Sequence, residues 1–356
     1  MLPQKCHNLA FSGRLWYDGQ VISGSIFPID SEGVNEKMPV KKLLSVLLAL
    51  LLVILSVPAL ASDLAPLPMN DLSFGPKPKD ENYLSKTEYV DESITVKIHE
   101  GRYADTDYVC AHVKISHPSQ LRTTPASVYQ SPNAAFVARA SEANFKGRLV
   151  ANKVNAVVAI NGDFYTKTDM VKVVLRQGKQ IRNISTGASD LLVIDMNGDF
   201  SYLPLCGKEE YQAYYEANQQ NMYQVFCFGP VLVENGQSVI DENYQNNSVG
   251  SHKSAQRSAI AQLGPLEYML VTCNSNQVKN NKGMTIQEFA ALCEQLGKDL
   301  SENGCTLAYN LDGGNSATLV FKDKNAKSGK LSYVKYNCPE IERFLGDIIY
   351  FATLVN

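Results

Sequence analysis

The chain has 356 residues, 45% of them apolar and 19% charged, with 33 Lys and Arg against 36 Asp and Glu for a net charge of −3. A chain this long and apolar buries a sizeable core, which excludes intrinsic disorder. The absence of a basic excess argues against a nucleic-acid binder held by bulk charge, and eight Cys are too few for a disulfide-stapled scaffold.

Residues 43–61, LLSVLLALLLVILSVPALA, carry no charge and follow Lys41 and Lys42. Ala59-Leu60-Ala61 fits the small-x-small pattern of a signal-peptidase site, so residues 38–61 read as a secretory signal starting at Met38. Residues 1–37 are then an upstream extension. An uncleaved membrane anchor is the other reading of residues 43–61, because that apolar run just spans a bilayer. Both readings expect a secreted or extracytoplasmic protein from residue 62 onward. Cys110, Cys206, Cys227, Cys273, Cys293, Cys305 and Cys338 remain in that part, an odd set whose pairing spacing does not fix. With no CxxC and scattered His, a structural zinc site is not expected.

Pro66, Pro68, Pro76 and Pro78 mark residues 62–89 as an extended linker ahead of a single domain, 90–356. Ile94, Val96 and Ile98 share one strand face, and Val109, Ala111, Val113 and Ile115 another, with a turn over 101–107. Ser131-Pro132 suits a helix start, with uneven helical composition to about Asn152. Asn155–Ile160 is apolar without alternation, as in a strand buried on both faces. Further strands are expected at Val171–Leu175, Leu191–Asp195, Gly229–Glu234, Ser258–Gln262, Tyr268–Cys273, Cys305–Leu311, Ala317–Phe321 and Asp347–Val355. Asn197-Gly198 and Asn235-Gly236 are hairpin closers. Thr285-Ile-Gln-Glu288 has capping-box spacing for a helix with Ile286, Phe289, Ala290, Cys293, Leu296 and Leu300 on one face, and Gly304 at its C′ position. The fold class is α+β: mixed, largely antiparallel sheets packed with a few helices.

Two strand ends carry the chemical signal. VVAINGDFY (157–165) and LAYNLDGGNSATLVF (307–321) each deliver an Asp and a Gly from a rigid strand, the pairs being Asn161/Asp163 and Asn310/Asp312. Gly162, Gly313 and Gly314 let a substrate approach the backbone, and consecutive amides in such a turn can form an anion nest. Asn-Gly and Asp-Gly are also common hairpin closers, so either motif alone is equally an ordinary turn. Two carboxylates in one cleft are the minimum for acid–base hydrolysis. Arg257 precedes one apolar strand, Arg343 lies before the last, and Arg176 ends another; an Arg so held can grip phosphate or carboxylate.

INGDFY, FGPVLVENG (228–236), QRSAIAQ (256–262), GMTIQEFA (283–290) and NLDGGNSATLVF, in that order, resemble the motifs of the phosphodiester glycosidase family. The chain departs from the pattern where Cys273-Asn274-Ser275 replaces Asp-Gly-Arg, and at Gln256, Asn315 and Ala317. The resemblance implies one domain hydrolysing the C1–O bond of a phosphate-linked sugar, on a cell-surface or extracellular glycan. It implies Asp312 as base or nucleophile, Asp163 as its catalytic partner or as a substrate orienter, and Arg257, with Arg343, neutralising the diester. Asn161 and Asn310 would bind sugar hydroxyls or hold the Asp groups, and Gly162, Gly313, Gly314 and Ser316 would bind substrate. Asp and Asn oxygens also suit calcium or magnesium, though no cation-binding loop spacing is present. The alternatives are a non-catalytic binder of polysaccharide or wall polymer, and a phosphodiesterase cutting P–O.

Overall fold

The computed structural model describes residues 64–356, apart from 132, 134, 137–144, 166–171, 184–188, 247–248 and 325–329. The expected extension, signal or anchor over 1–61, and part of the helix expected from Ser131, lie outside the described residues.

Three antiparallel sheets turn their inner faces to one another. The nine-stranded sheet I contains the long hairpin Ile94–Tyr103/Thr106–Ile115, then Glu267–Cys273, Ser258–Gly264, Leu307–Leu311 and Val231–Glu234 in spatial order. Sheet II runs Leu331–Lys335, Leu319–Lys324, Val158–Asn161, Asp347–Phe351, Leu121–Pro125. Sheet III runs Phe200–Leu203, Leu191–Asp195, Met222–Phe226, Val173–Arg176, Lys179–Asn183. Every pairing between described strands is antiparallel.

One core joins the inner faces: Val96 and Ile260 from sheet I, Ile160 and Ile349 from sheet II, Leu192 and Phe226 from sheet III. Each outer face is covered by a helix. Gly147–Lys153 covers sheet II, placing Val150 and Ala151 on Ala159, Val320 and Tyr350. Tyr211 of Lys208–Asn218 lies over Val193 and Val225 of sheet III. Ile286–Leu300 covers sheet I. Val158 and Ile160 face the inner core while Ala159 faces a helix, so the run over 155–160 has no polar face to alternate with.

Local rules account for most elements. Thr285 Oγ1 accepts from the Glu288 amide at 3.2 Å and Glu288 Oε2 accepts from the Thr285 amide at 2.8 Å, closing the expected capping box. The helix stops at Leu300; Gly304 is left-handed three residues beyond the Ser301 cap, not at C′. The first hairpin is longer than expected, because Ala104 and Asp105 both take positive φ (45° and 53°) and close a two-residue turn without glycine. Helix Lys208–Asn218 was not expected; only Tyr211 on it is fully buried, which leaves a faint apolar periodicity. The seven Cys among the described residues are all buried free thiols.

The described part of the segment expected as a linker, 64–89, belongs to the same compact unit as the rest of the described chain. Arg122, fully buried, donates through Nη1 to Pro68 O and through Nη2 to Asp71 O, both at 2.9 Å. Tyr83–Ser85 pairs with Glu88–Val90, and Tyr83 is itself in the core. The prolines thus mark an extended strap tied down by a guanidinium, not a tether.

Candidate active site

The two Asp-Gly motifs meet where sheets I and II end side by side. The Asn161 side chain joins them: Nδ2 donates to Asp312 O at 2.8 Å, while Oδ1 accepts from Ser258 Oγ at 2.8 Å and from the Thr318 amide at 3.0 Å. The Asp312 amide donates to Gly162 O at 3.3 Å. On the other side the Gly162 amide donates to Asp347 O at 3.3 Å. Gly162 is required sterically, since a Cβ there would lie 2.4 Å from Asp347 Oδ1. A cleft of about 290 Å³ opens at this junction, lined by Asn161, Gly162, Phe164, Asp312, Ser316 and the segment 343–347.

Three carboxyls gather here in two layers. Asp312 and Asp347 line the cleft. Burial pushes Asp312 up to about 6, against the opposing pull of the Ser316 hydroxyl, Arg343 and the Gly313 amide. Burial pushes Asp347 up to about 7, offset in part by Arg176 and reinforced by the charges of Asp163 and Asp312. Asp163 lies beneath, fully buried and outside the cleft lining. Its Oδ1 accepts from Arg176 Nη2 at 2.8 Å and its Oδ2 from the Cys227 amide at 2.9 Å. The same Arg176 Nη2 reaches Asp347 Oδ2 at 3.3 Å, and the guanidinium stacks 4.1 Å from the Phe226 ring centroid. Asp163 is therefore a partner of Arg176, and Asp347 stands in the place the sequence reading gave to Asp163.

Of the arginines, Arg343 is the cation of the cleft. It is exposed, its Nη1 donates to Ser316 Oγ at 3.4 Å, and it lies 5.4 Å from the Phe164 ring centroid. Phe164 has φ 67°, a left-handed conformation uncommon outside glycine and stored beside the two carboxyls. Arg257 does not reach the cleft. It is buried and donates to four backbone carbonyls, Met284, Val249, Gly250 and Lys253, at 2.6 to 3.0 Å. It organises the 249–253 loop, and its expected role on the diester is not supported by that placement.

Other expected substrate contacts are also spoken for. Asn310 is buried in its strand and donates to Gly229 O at 2.7 Å. The Gly314 amide donates to Gln256 O at 2.8 Å, and the Gly313 amide bonds the Asp312 carboxylate, so the turn offers no anion nest. A Gly313 Cβ would lie 2.8 Å from Gln256 O, which is why glycine stands there. Ser316 is buried and serves Asp312. Among the described residues no group of three or more His, Cys, Asp or Glu is arranged to hold a metal ion. Both oxygens of Asp163, one of the hard-oxygen groups suited to calcium or magnesium, are engaged by Arg176 and the Cys227 amide.

Sequence reading missed Asp347, Phe164 and Phe344 as cleft residues. One signal was available for Asp347: it follows Gly346 and opens an otherwise apolar strand, the same pairing of Asp, Gly and buried strand as in the two motifs.

A profile of the family described as phosphodiester glycosidase matches residues 154–352. The chain belongs to the phosphodiester glycosidase family. That span holds all three carboxyls, Arg176 and Arg343. Among solved structures, the fold is similar to the catalytic domain of zebrafish N-acetylglucosamine-1-phosphodiester α-N-acetylglucosaminidase, auto-inhibited by its pro-peptide. The TM-score is 0.52 at 16% identity, over 82% of this chain and 98% of that one. A hypothetical protein from Synechocystis aligns with TM-score 0.44 at 16% identity, over 73% of this chain and 62% of that one. Nothing among curated proteins matches. The α+β, mostly antiparallel single domain is thus the fold of the family.

Proposed function

We propose that this phosphodiester glycosidase hydrolyses the C1–O bond of a sugar-1-phosphodiester, with Asp312, Asp347 and Arg343 as its working groups. The observation that carries the reading is the juxtaposition, in one cleft, of two carboxyls with raised proton affinity and one exposed guanidinium. A diester brings one negative charge, which two ionised carboxylates would repel. Near pH 6.5, Asp347 keeps its proton and Asp312 has largely lost its own. Neutral Asp347 then donates a hydrogen bond to a diester oxygen while Arg343 supplies the opposing charge. The leaving group is a phosphate monoester with a second pKa near 6, so it departs without a strong acid. Asp312, oriented by the Ser316 hydroxyl and the Gly313 amide, attacks C1 or activates the water that does. Phe164 and Phe344 at the mouth offer ring faces to the sugar.

We further propose an extracytoplasmic site of action on a glycan, supported by the charge-free segment 43–61 behind Lys41 and Lys42. A chromogenic sugar-1-phosphodiester incubated in ¹⁸O water tests the chemistry. Label is expected in the released sugar. Label in the phosphate would establish P–O cleavage, and binding without turnover would leave a carbohydrate-binding role. The pH profile of kcat/KM, which reports the free enzyme, is expected to be a bell with limbs near 6 and near 7, from ionisation of Asp312 and then Asp347.

A further inference from the structure

A second cleft of about 290 Å³ lies on the outer side of sheet II, and its lining is cationic: Lys77, Arg148 and Lys322 against the single carboxylate of Asp80. The charges are built into the fold unequally. Lys322 is only 6% exposed, with its ammonium 4.9 and 5.2 Å from the ring centroids of Tyr83 and Tyr333. The anion it meets is Asp80, at 3.2 Å, whose side chain is 65% exposed. A buried cation is thus matched by a carboxylate that stands largely in water. Lys77 is exposed at the same rim.

This cleft adjoins the active one. Arg148 Nε donates to Glu342 Oε2 at 2.8 Å, and the next residue, Arg343, lines the active cleft. The ribbon Phe145–Lys146/Phe344–Leu345 stands between them, leading on one strand into Arg148 and carrying on the other two residues of the active cleft. The two clefts are thus joined by one paired stretch of backbone.

We propose that the second cleft holds a further phosphate of a repeating glycosyl-phosphate chain whose scissile diester sits between Asp312 and Arg343. Asp80 occupies the position of that anion in the free protein and is displaced from Lys322 when the chain binds. The proposal rests on the phosphodiester-hydrolase reading above, and names its substrate class as a polymer with more than one phosphate.

The test compares a single sugar-1-phosphodiester with a defined oligomer of sugar-1-phosphate repeats, using the full chain and two surface variants. Lys77→Glu is expected to raise KM for the oligomer about tenfold, by exchanging an attractive for a repulsive charge. Asp80→Asn is expected to lower it several-fold, a gain that a merely structural residue would not give. Neither should change kinetics on the single diester. Equal effects on both substrates, or none on the oligomer, would overturn the proposal. Oligomer binding to Asp312→Asn protein, with and without the two changes, gives a readout independent of turnover. If no substrate is turned over while binding still responds with these signs, the catalytic reading fails and the second site stands. An oligouronate of equal charge separates phosphate from carboxylate recognition. Equal affinity and equal response for the oligouronate would overturn the phosphate assignment.

Discussion

Asp163 and Asp312 begin alike, each two residues after an Asn and beside a Gly at the end of an apolar strand, and they finish in opposite roles. Asp163 turns inward and has both oxygens filled, by a guanidinium and a backbone amide. Asp312 turns to the cleft, loses water without gaining a formal ion pair at hydrogen-bond distance, and holds its proton up to about 6. The difference lies in the partners that the third dimension supplies. A buried carboxylate with both oxygens filled, by Arg176 and an amide, becomes part of the frame, whereas one given only a hydroxyl, an amide and a more distant arginine remains reactive.

The largest effect separates the two directly. Asp312→Asn should lower kcat about a thousandfold without destabilising the fold, because it removes the attacking or activating carboxylate and keeps its shape. Retention of full activity in the folded variant would remove Asp312 from the mechanism. Asp163→Asn should show the reverse pattern, destabilising by about 3 kcal/mol because Arg176 loses the closer of its two carboxyl partners in a dry site. Denaturant titration measures this, and activity per folded molecule should fall far less than in Asp312→Asn.

The two arginines extend the same contrast. Arg343→Met should raise KM for a diester about tenfold with little change in stability, since the side chain is exposed and gives one long hydrogen bond to Ser316. Arg257→Met should instead cost about 3 kcal/mol of stability, leaving four carbonyls without their donor. Steady-state kinetics beside thermal melts of the two proteins would break the comparison if Arg257 proved to control KM.

Much of the frame is legible in one dimension because its signals are local. The Thr285–Glu288 box, the Asn-Gly turns and the doubly buried run before Asn161 each follow from spacing alone. Spacing alone leaves Asn161–Asp163 and Asn310–Asp312 equally readable as ordinary turns, and it is their order among the other motifs that points to a site. The facing of each side chain is not local. Whether Arg257 or Arg343 meets substrate depends on carbonyls from the 249–253 loop and Met284, and whether residues 64–89 swing free depends on Arg122 and Tyr83. Asp347 was hidden because it belongs to a strand whose neighbours, Gly162 and Arg176, come from distant parts of the chain.

Asp347 offers the finest test, because it belongs to both layers: it bonds Arg176 below and lines the cleft above. Its proton affinity in the folded state is raised from the usual carboxylate value to about 7. The folded protein therefore binds more protons than the unfolded chain between about pH 4 and pH 7. The stability tied to this group is present in full below pH 4 and is lost as pH rises through 7. Asp347→Asn removes that dependence while keeping an acceptor for Arg176 and a donor toward the diester. The stability gap between variant and wild type should widen with pH by about 1.4 kcal/mol per unit and level off above pH 7. The basic limb of the activity bell should vanish as well, since the amide mimics the protonated acid across the whole range. A variant that keeps the limb near 7 would assign it to another group. A variant whose stability gap does not change with pH would show that Arg176 keeps Asp347 at an ordinary carboxylate's proton affinity, and the two layers would then differ only in their exposure to substrate.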